Sequence, residues 1–429
     1  MRAKVGPVLS PPRVLWLTTE FFPPQTGGTG VIASRLAQAL AARGVPLQII
    51  TRQTLPRFAL RERIGALQVR RIGPAGVSKG AGWRALAPMF TYLMRLATLL
   101  LAAARRYDLV IISGMKTIPL AAVPVCRLLR KKCVIRIESP FEIAEPIAAE
   151  SLSTMGSIGG WLSRRLSAAQ QSALRRADRV VAISDEIALR LRDLAYPEVR
   201  IARIPNAIDL SKFTPTPPHE RQALRLRLGL PDDRTIVLYV GRLSRSKGVM
   251  MLVQALPELL ARHPDLYLVL VGSGRESWDN CEPELTAYLR TQHLEAHVAL
   301  PGHSDRVHEY LQAADLYVSP SDYEGFGLTI VEALACALPV VTTAVGVATQ
   351  IVRNDCNGFL CPPRNPQALR EAIDRALGER HRWAEIGRLA RESSAVFALP
   401  RVIDQYLALC TDLGFGRGER TGADIVDAG

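Results

Sequence analysis

The stretch "PNAIDLSKFTPTPPH", residues 205–219, breaks the rhythm of an otherwise regular sequence. Four prolines fall in it and no apolar period runs through it. Proline fixes φ and removes a backbone donor, so the segment suits neither a helix interior nor a central strand and reads as a linker. On its N-terminal side, short apolar strands alternate with helical patterns: "RVLWLTT" (13–19), "GVIASRLAQALAARG" (30–44), "PLQIIT" (46–51), a long apolar helix, "DLVIIS" (108–113), "LAAVPVCRLLR" (120–130), "CVIRIE" (133–138), a helix around 160–176, "RVVAIS" (179–184) and "VRIARIPN" (199–206). Beyond the linker a second series runs through "TIVLYVGR" (235–242), "LYLVLVGSG" (266–274), "HVALPG" (297–302), "DLYVSPS" (315–321) and "PVVTT" (339–343), with helical patterns between. Such alternation implies parallel sheets covered by helices. The expected fold is α/β, with two doubly wound Rossmann-like domains split near residue 206 and facing a central cleft. Ligands in such sheets bind beyond the carboxyl ends of the strands.

Composition sets the remaining bounds. The 429 residues are 48% apolar, ample for two or three such domains. The seven cysteines are odd in number and lie mostly in apolar runs, without a ligand spacing for zinc. This predicts a reduced, cytoplasmic protein. The opening "MRAKVGPVLSPPRVLWLTT" lacks the apolar core and cleavage site of a signal peptide. Residues 83–106 are long and apolar but contain Arg95 and Pro88, which predicts a helix packed on a sheet. A position on a bilayer surface is the lesser alternative. Between Arg43 and Arg136 lie eighteen Arg or Lys and two acids, Glu62 and Asp108, an imbalance larger than the whole chain's +14. Either this is Arg-rich composition, or it is a basic face for phosphate-bearing acceptors or acidic lipid headgroups. No interleaved aromatics, helix-turn-helix or zinc-finger spacing supports a nucleic-acid partner.

Three loops carry candidate chemistry. In "PPQTGGTGVIA" (23–33), Gly28, Gly30 and Ala33 fit a dinucleotide pattern, but "EFFPPQT" separates them from the strand and the next strand supplies no acid for a ribose. What remains is a glycine loop opening a helix, either a backbone approach to a phosphate or sugar or a plain helix start. In "VGRLSRSKGV" (240–249), Arg242 and Lys247 follow a buried strand. Two cations there can hold a diphosphate and neutralise a leaving phosphate; the plainer reading is two solvated side chains. In "PSDYEGFGLTIVE" (320–332), Glu324 lies in the loop after a strand and Glu332 on the second turn of an apolar helix expected over 328–337. The amides of Gly327, Leu328 and Thr329 are the free donors of that helix N-terminus and suit a phosphate. Glu324 would face a sugar and Glu332 a ribose; the alternatives are a solvated loop acid and an acid favoured by the helix dipole. Asp322 and Glu324 without further ligands do not make a metal site.

Taken in order, "GGTG", "ADRVVAIS", "IPNAID", "VGRLSRSKG", "LVLVGSG", "SPSDYEGFGLTIVEALACALPVV" and "NGFL" resemble the retaining glycosyltransferases of the GT-B superfamily, family 4 (glycosyl transferases group 1), across residues 14–363. The resemblance implies a nucleotide-diphosphate sugar (UDP- or GDP-linked) as substrate, no cofactor and no metal. It implies an acceptor-side domain at 1–206, a donor-binding domain at 207–400 and a C-terminal helix at 401–415 that returns to the first domain; the last residues, "GRGERTGADIVDAG" (416–429), read as a disordered tail. Arg242, Lys247 and Glu324 would be catalytic. Gly28, Gly272, Phe326, Gly327, Leu328, Thr329 and Glu332 would bind substrate. The acceptor would be a glycan or lipid-linked hydroxyl, in cell-surface polysaccharide or glycolipid biosynthesis, at the inner face of the membrane. Relatives often carry a histidine after the strand that here reads "VIRIESPFE", yet all seven histidines lie at 219 or later. Glu138, Ser139 or Glu142 would take that place as sugar contacts, or are loop polar residues. Ala207, Ala337, Val347 and Gln350 depart from the family's usual glycines and glutamate. The alternatives are an isomerase resembling UDP-sugar 2-epimerases and a non-catalytic nucleotide-sugar-binding protein.

Overall fold

The computed structural model describes residues 11–19, 21, 28–53, 58–73, 83–144, 156–275 and 277–415, with side chains of the helix opening at 83 described from residue 87. The tail expected at 416–429 and the lead-in to Gly28 at 22–27 lie outside the described residues. The chain divides into two compact units, Met1–Pro205 with Pro400–Gly429, and Asn206–Leu399.

The first unit is built on eight strands: β1 (Val14–Thr18), β2 (Leu47–Arg52), β3 (Arg61–Ile64), β4 (Leu67–Ile72), β5 (Leu109–Ser113), β6 (Lys132–Ile137), β7 (Arg179–Ala182) and β8 (Ile201–Arg203). Their order is β3-β4-β2-β1-β5-β6-β7-β8. All neighbours are parallel except β3 and β4. Every residue of β1 and β5 is buried, as expected of strands covered on both faces. The helix Trp83–Ala102 turns Tyr92, Leu96 and Leu100 inward at four-residue spacing. No described helix is long and apolar enough to cross a membrane.

The β3–β4 hairpin is an addition to the expected six strands. It is turned by Gly65 at φ 58°. Its alternation is masked in the sequence because Arg71 occupies an inward position. Arg71 is only 4% exposed and is neutralised by Glu62 across the hairpin, with a further bond from its guanidinium to the Ala59 carbonyl.

The second unit holds β9 (Thr235–Val240), β10 (Leu266–Val271), β11 (Val298–Gly302), β12 (Leu316–Ser319), β13 (Val340–Thr343) and β14 (Phe359–Cys361), in the order β11-β10-β9-β12-β13-β14 and all parallel. The short edge strand β14 is also an addition. Its core joins Val237, Leu268 and Val318 of the strands to Val253, Leu256 and Ile373 of the flanking helices. The last helix, Leu399–Asp412, buries Val402, Ile403 and Tyr406. Tyr406 packs against Trp16 of β1 at 6.1 Å between ring centres, and Asp404 pairs with Arg43 at 2.7 Å, which ties this helix to the first unit.

Strand order reverses beside β1 in one sheet and beside β9 in the other. These reversals open a crevice at the carboxyl ends of the strands, where doubly wound sheets hold ligands. In the second unit, the loops after β9, β10 and β12 all rise at that end.

Candidate active site

The loop after β9 is held by its own backbone. Residues Arg245–Lys247 form one 3₁₀ turn, closed by Gly248 in the left-handed region at φ 67°. A Cβ on Gly248 would lie 1.9 Å from the Pro320 carbonyl oxygen just after β12, so only glycine allows the two loops to touch. The Ser246 amide donates to the Asp279 carboxylate at 2.9 Å and the Asp322 amide to the Ser246 carbonyl at 3.0 Å. Gly272 after β10 has the same function at φ 146°, where a Cβ would meet the Gly241 carbonyl oxygen at 1.8 Å. The glycines bring the three loops within backbone contact.

That contact joins two of the residues singled out from the sequence. Lys247 Nζ donates to Glu324 Oε1 at 2.7 Å, with side-chain exposures of 20% and 15%. Ser321 Oγ donates to the same oxygen at 2.8 Å. Glu324 is thus fixed by two donors, one of them cationic. Arg242 follows β9 at the same end, is exposed, and has no ion-pair partner among the described residues. Its carbonyl accepts from the Tyr239 hydroxyl at 2.7 Å, which fixes the backbone beneath it.

Past Glu324 the chain passes through Gly327, at φ 96°, into the helix Leu328–Ala335. Phe326 is 4% exposed, meets Phe397 edge-on at 5.7 Å, and accepts at its carbonyl from the Val347 amide at 2.7 Å. Among the described residues the amides of Gly327, Leu328 and Thr329 have no acceptor. Thr329 accepts from the Tyr317 hydroxyl at 2.7 Å. Glu332 opens the second turn and is 8% exposed. The expected helix end at 337 is corrected to Ala335: the amides of Ala337 and Leu338 turn back to the carbonyls of Leu334 and Ala333, with Ala337 left-handed at φ 59°. This is a Schellman closure with alanine where glycine is preferred. Ser321, Tyr317, Asp279 and Gly346 have positioning roles not read from the sequence. A Cβ on Gly346 would come within 2.9 Å of Glu324 Cβ, so that glycine lets the next loop close over Glu324. Only Ser321, inside the "SPSDYEGFG" stretch, had a legible signal.

The remaining candidates lie in the first unit. Gly28 is exposed at the start of the helix Gly28–Ala42. Glu138 is committed to an ion pair with Arg136, which is fully buried at the end of β6. Ser139 Oγ accepts from the Phe141 amide at 3.3 Å. Glu142 is half-buried, and its carboxyl is turned onto the backbone of this loop. Its Oε2 accepts from the amides of Met115 and Glu138 at 3.1 and 3.2 Å. Burial pushes its carboxyl up to about 7, with the Met115 amide, Lys116 and Arg136 opposing. Among the described residues no group of three His, Cys, Asp or Glu is placed to hold a metal.

Two reversed and largely parallel sheets, the second with glycine-shaped loops at its carboxyl ends, share the architecture of the GT-B glycosyltransferases. Residues 26–212 match the profile of Glycosyltransferase Family 4 and residues 220–392 that of Glycosyl transferases group 1; the chain belongs to this family. A D-inositol 3-phosphate glycosyltransferase of Xylanimonas cellulosilytica is 29% identical, over 90% of this chain and 93% of that protein. An N-acetyl-alpha-D-glucosaminyl L-malate synthase of Bacillus anthracis is 25% identical, over 91% and 95%. A sucrose-phosphate synthase from Thermosynechococcus elongatus superposes with a TM-score of 0.75 at 26% identity, covering 94% of this chain and 99% of that one. HepE of Anabaena, solved with UDP, shares the fold with a TM-score of 0.71 at 21% identity, covering 93% and 100%.

Proposed function

We propose that this glycosyltransferase moves a sugar from a UDP- or GDP-linked donor to a hydroxyl of a glycan or lipid-linked acceptor, with retention at the anomeric carbon. The observation that carries the reading is the Lys247–Glu324 pair beside the unpaired amides of Gly327, Leu328 and Thr329. Those amides and the helix dipole suit a phosphate. Lys247 and Arg242 neutralise the charge that appears on the diphosphate as the bond from C1 breaks. Glu324 accepts hydrogen bonds from sugar hydroxyls, Glu332 from the ribose, and Gly272 keeps its loop clear of the nucleotide. The acceptor oxygen bonds to C1 on the face the phosphate leaves, and its proton passes to the departing phosphate oxygen. Gly28 and Ser139 serve the sugar and acceptor side, and Glu138, paired with Arg136, holds the loop that carries Ser139. Two of the relatives are named for inositol 3-phosphate and for malate, both anions, which agrees with the basic first unit. We place the enzyme in cell-surface polysaccharide or glycolipid synthesis, working at the inner face of the membrane.

Incubation with radiolabelled UDP- and GDP-sugars and a panel of glycan, lipid-linked and small anionic acceptors tests this. Expected is transfer that keeps the donor's anomeric configuration, and a raised melting temperature with one nucleotide sugar. Inversion at C1, or epimerised donor without transfer, would overturn the reading.

A further inference from the structure

The first unit carries a second feature, well along the sheet from the β1–β5 reversal. A cavity of about 490 Å³ lies between the β3–β4 hairpin and the helix Trp83–Ala102, lined by Arg61, Arg70, Arg71 and Arg95 with Leu60 and Leu99 among its walls. A second of about 380 Å³ shares Arg61 and Arg70 and adds Arg106. Strand register sets Arg61 directly opposite Arg70. Like charges so placed repel, and the repulsion is relieved when an anion sits between them. The acid in the lining, Glu62, is taken by Arg71, and among the described residues no carboxylate pairs with Arg61, Arg70 or Arg95.

The helix wall of the groove continues into an unusual outer face. Among its described side chains, from residue 87 on, the exposed positions are Ala87, Phe90, Thr91, Met94, Arg95, Thr98, Leu101 and Ala102, and Arg95 is the one charge among these. Phe90, Met94 and Leu101 are 43%, 66% and 43% exposed, and Leu60 on the hairpin is 56% exposed. A free phosphate needs the arginines alone and gains nothing from this stripe. A lipid uses both, since arginines reach headgroups while apolar side chains enter the acyl boundary.

We infer that the groove binds the phosphodiester headgroup of an anionic membrane lipid, with the stripe Phe90–Met94–Leu101 lying in the bilayer surface. The inference rests on the membrane placement proposed above and names the surface that achieves it.

The test uses the full chain and phosphatidylcholine vesicles with or without phosphatidylglycerol. Wild type is expected to sediment with the anionic vesicles only, and less as salt rises. Each cation near such a surface contributes about fivefold in partition. Arg61→Ala with Arg70→Ala should therefore lose roughly 25-fold, and Phe90→Ser with Met94→Ser should also lose binding. Arg127→Ala with Arg190→Ala removes equal charge from exposed positions elsewhere in the unit and should lose much less. Circular dichroism and nucleotide-sugar thermal shifts confirm that each variant is folded and keeps its donor site. Equal losses in the groove and control variants would overturn the groove while leaving membrane placement standing. No vesicle binding by wild type overturns both. Saturable binding of soluble glycerol 3-phosphate at Arg61 and Arg70 without vesicle binding would make the ligand a free phosphate, which also overturns the inference.

Discussion

Lys247 and Glu324, separated by 77 positions in the chain, meet at 2.7 Å because β9 and β12 are neighbours and Gly248 lets their loops touch. The pair is largely shielded, so a buried partner left alone would carry an uncompensated charge. It also stores a cation next to the free amides of the following helix, where a diphosphate would be received.

Removing either member should therefore slow turnover more than it disturbs the fold. Lys247→Ala and Glu324→Gln are each expected to lower kcat by roughly 10²-fold or more, the size typical of one missing transition-state donor. Steady-state kinetics with matched circular dichroism measures this. Rates equal to wild type in both variants would remove these residues from the chemistry.

Gly248 and Gly229 allow a matched comparison, because both have φ 67° but only Gly248 has a neighbour in the way. Gly229→Ala should cost about 1 kcal/mol from backbone strain alone. Gly248→Ala adds the collision with the Pro320 carbonyl and should cost roughly 2–3 kcal/mol, with a loss of activity as Lys247 shifts. Urea unfolding of the two variants gives the difference; equal costs would show that the loops do not need the close approach.

Glu142 should impose a pH dependence on stability. Its carboxyl is raised to about 7 by burial, above the value of an unfolded carboxylate. Its favourable protonated state is fully present below about pH 4, and that stability is lost as pH rises through about 7. Glu142→Gln keeps an acceptor for the Met115 and Glu138 amides and has no proton to lose. Relative to wild type it should gain about 2–3 kcal/mol between pH 5 and pH 8. A constant difference across that range, read from denaturant midpoints, would contradict the burial argument.

Ala337→Gly should stabilise. The alanine holds φ 59° at a helix closure where glycine carries no steric cost. Relief of about 1–2 kcal/mol, less the extra freedom of glycine when unfolded, leaves a net gain of roughly 0.5–1 kcal/mol. A rise in melting temperature of a few degrees is the expected readout.

Much of the architecture was open to reading because buried parallel strands write themselves as apolar runs such as "TIVLYV" and "DLYVS", and loops as glycine and proline clusters. The β3–β4 hairpin was missed because Arg61, Arg63, Arg70 and Arg71 hide its alternation; an ion pair, not hydrophobicity, buries Arg71. β14 was missed because three residues are too few to show a period.

By itself the sequence determined most of the elements, their alternation along the chain and the glycines and charges that gather at loop ends, since these follow from local periodicity and backbone freedom. Tertiary structure alone decided that Lys247 and Ser321 share one oxygen of Glu324, that Glu138 is spent on Arg136, and that Glu142 is stripped of water. Those outcomes depend on which strands lie side by side and how closely their loops approach. Charge pairing and desolvation act through distance in space, and spacing along the chain does not encode that distance.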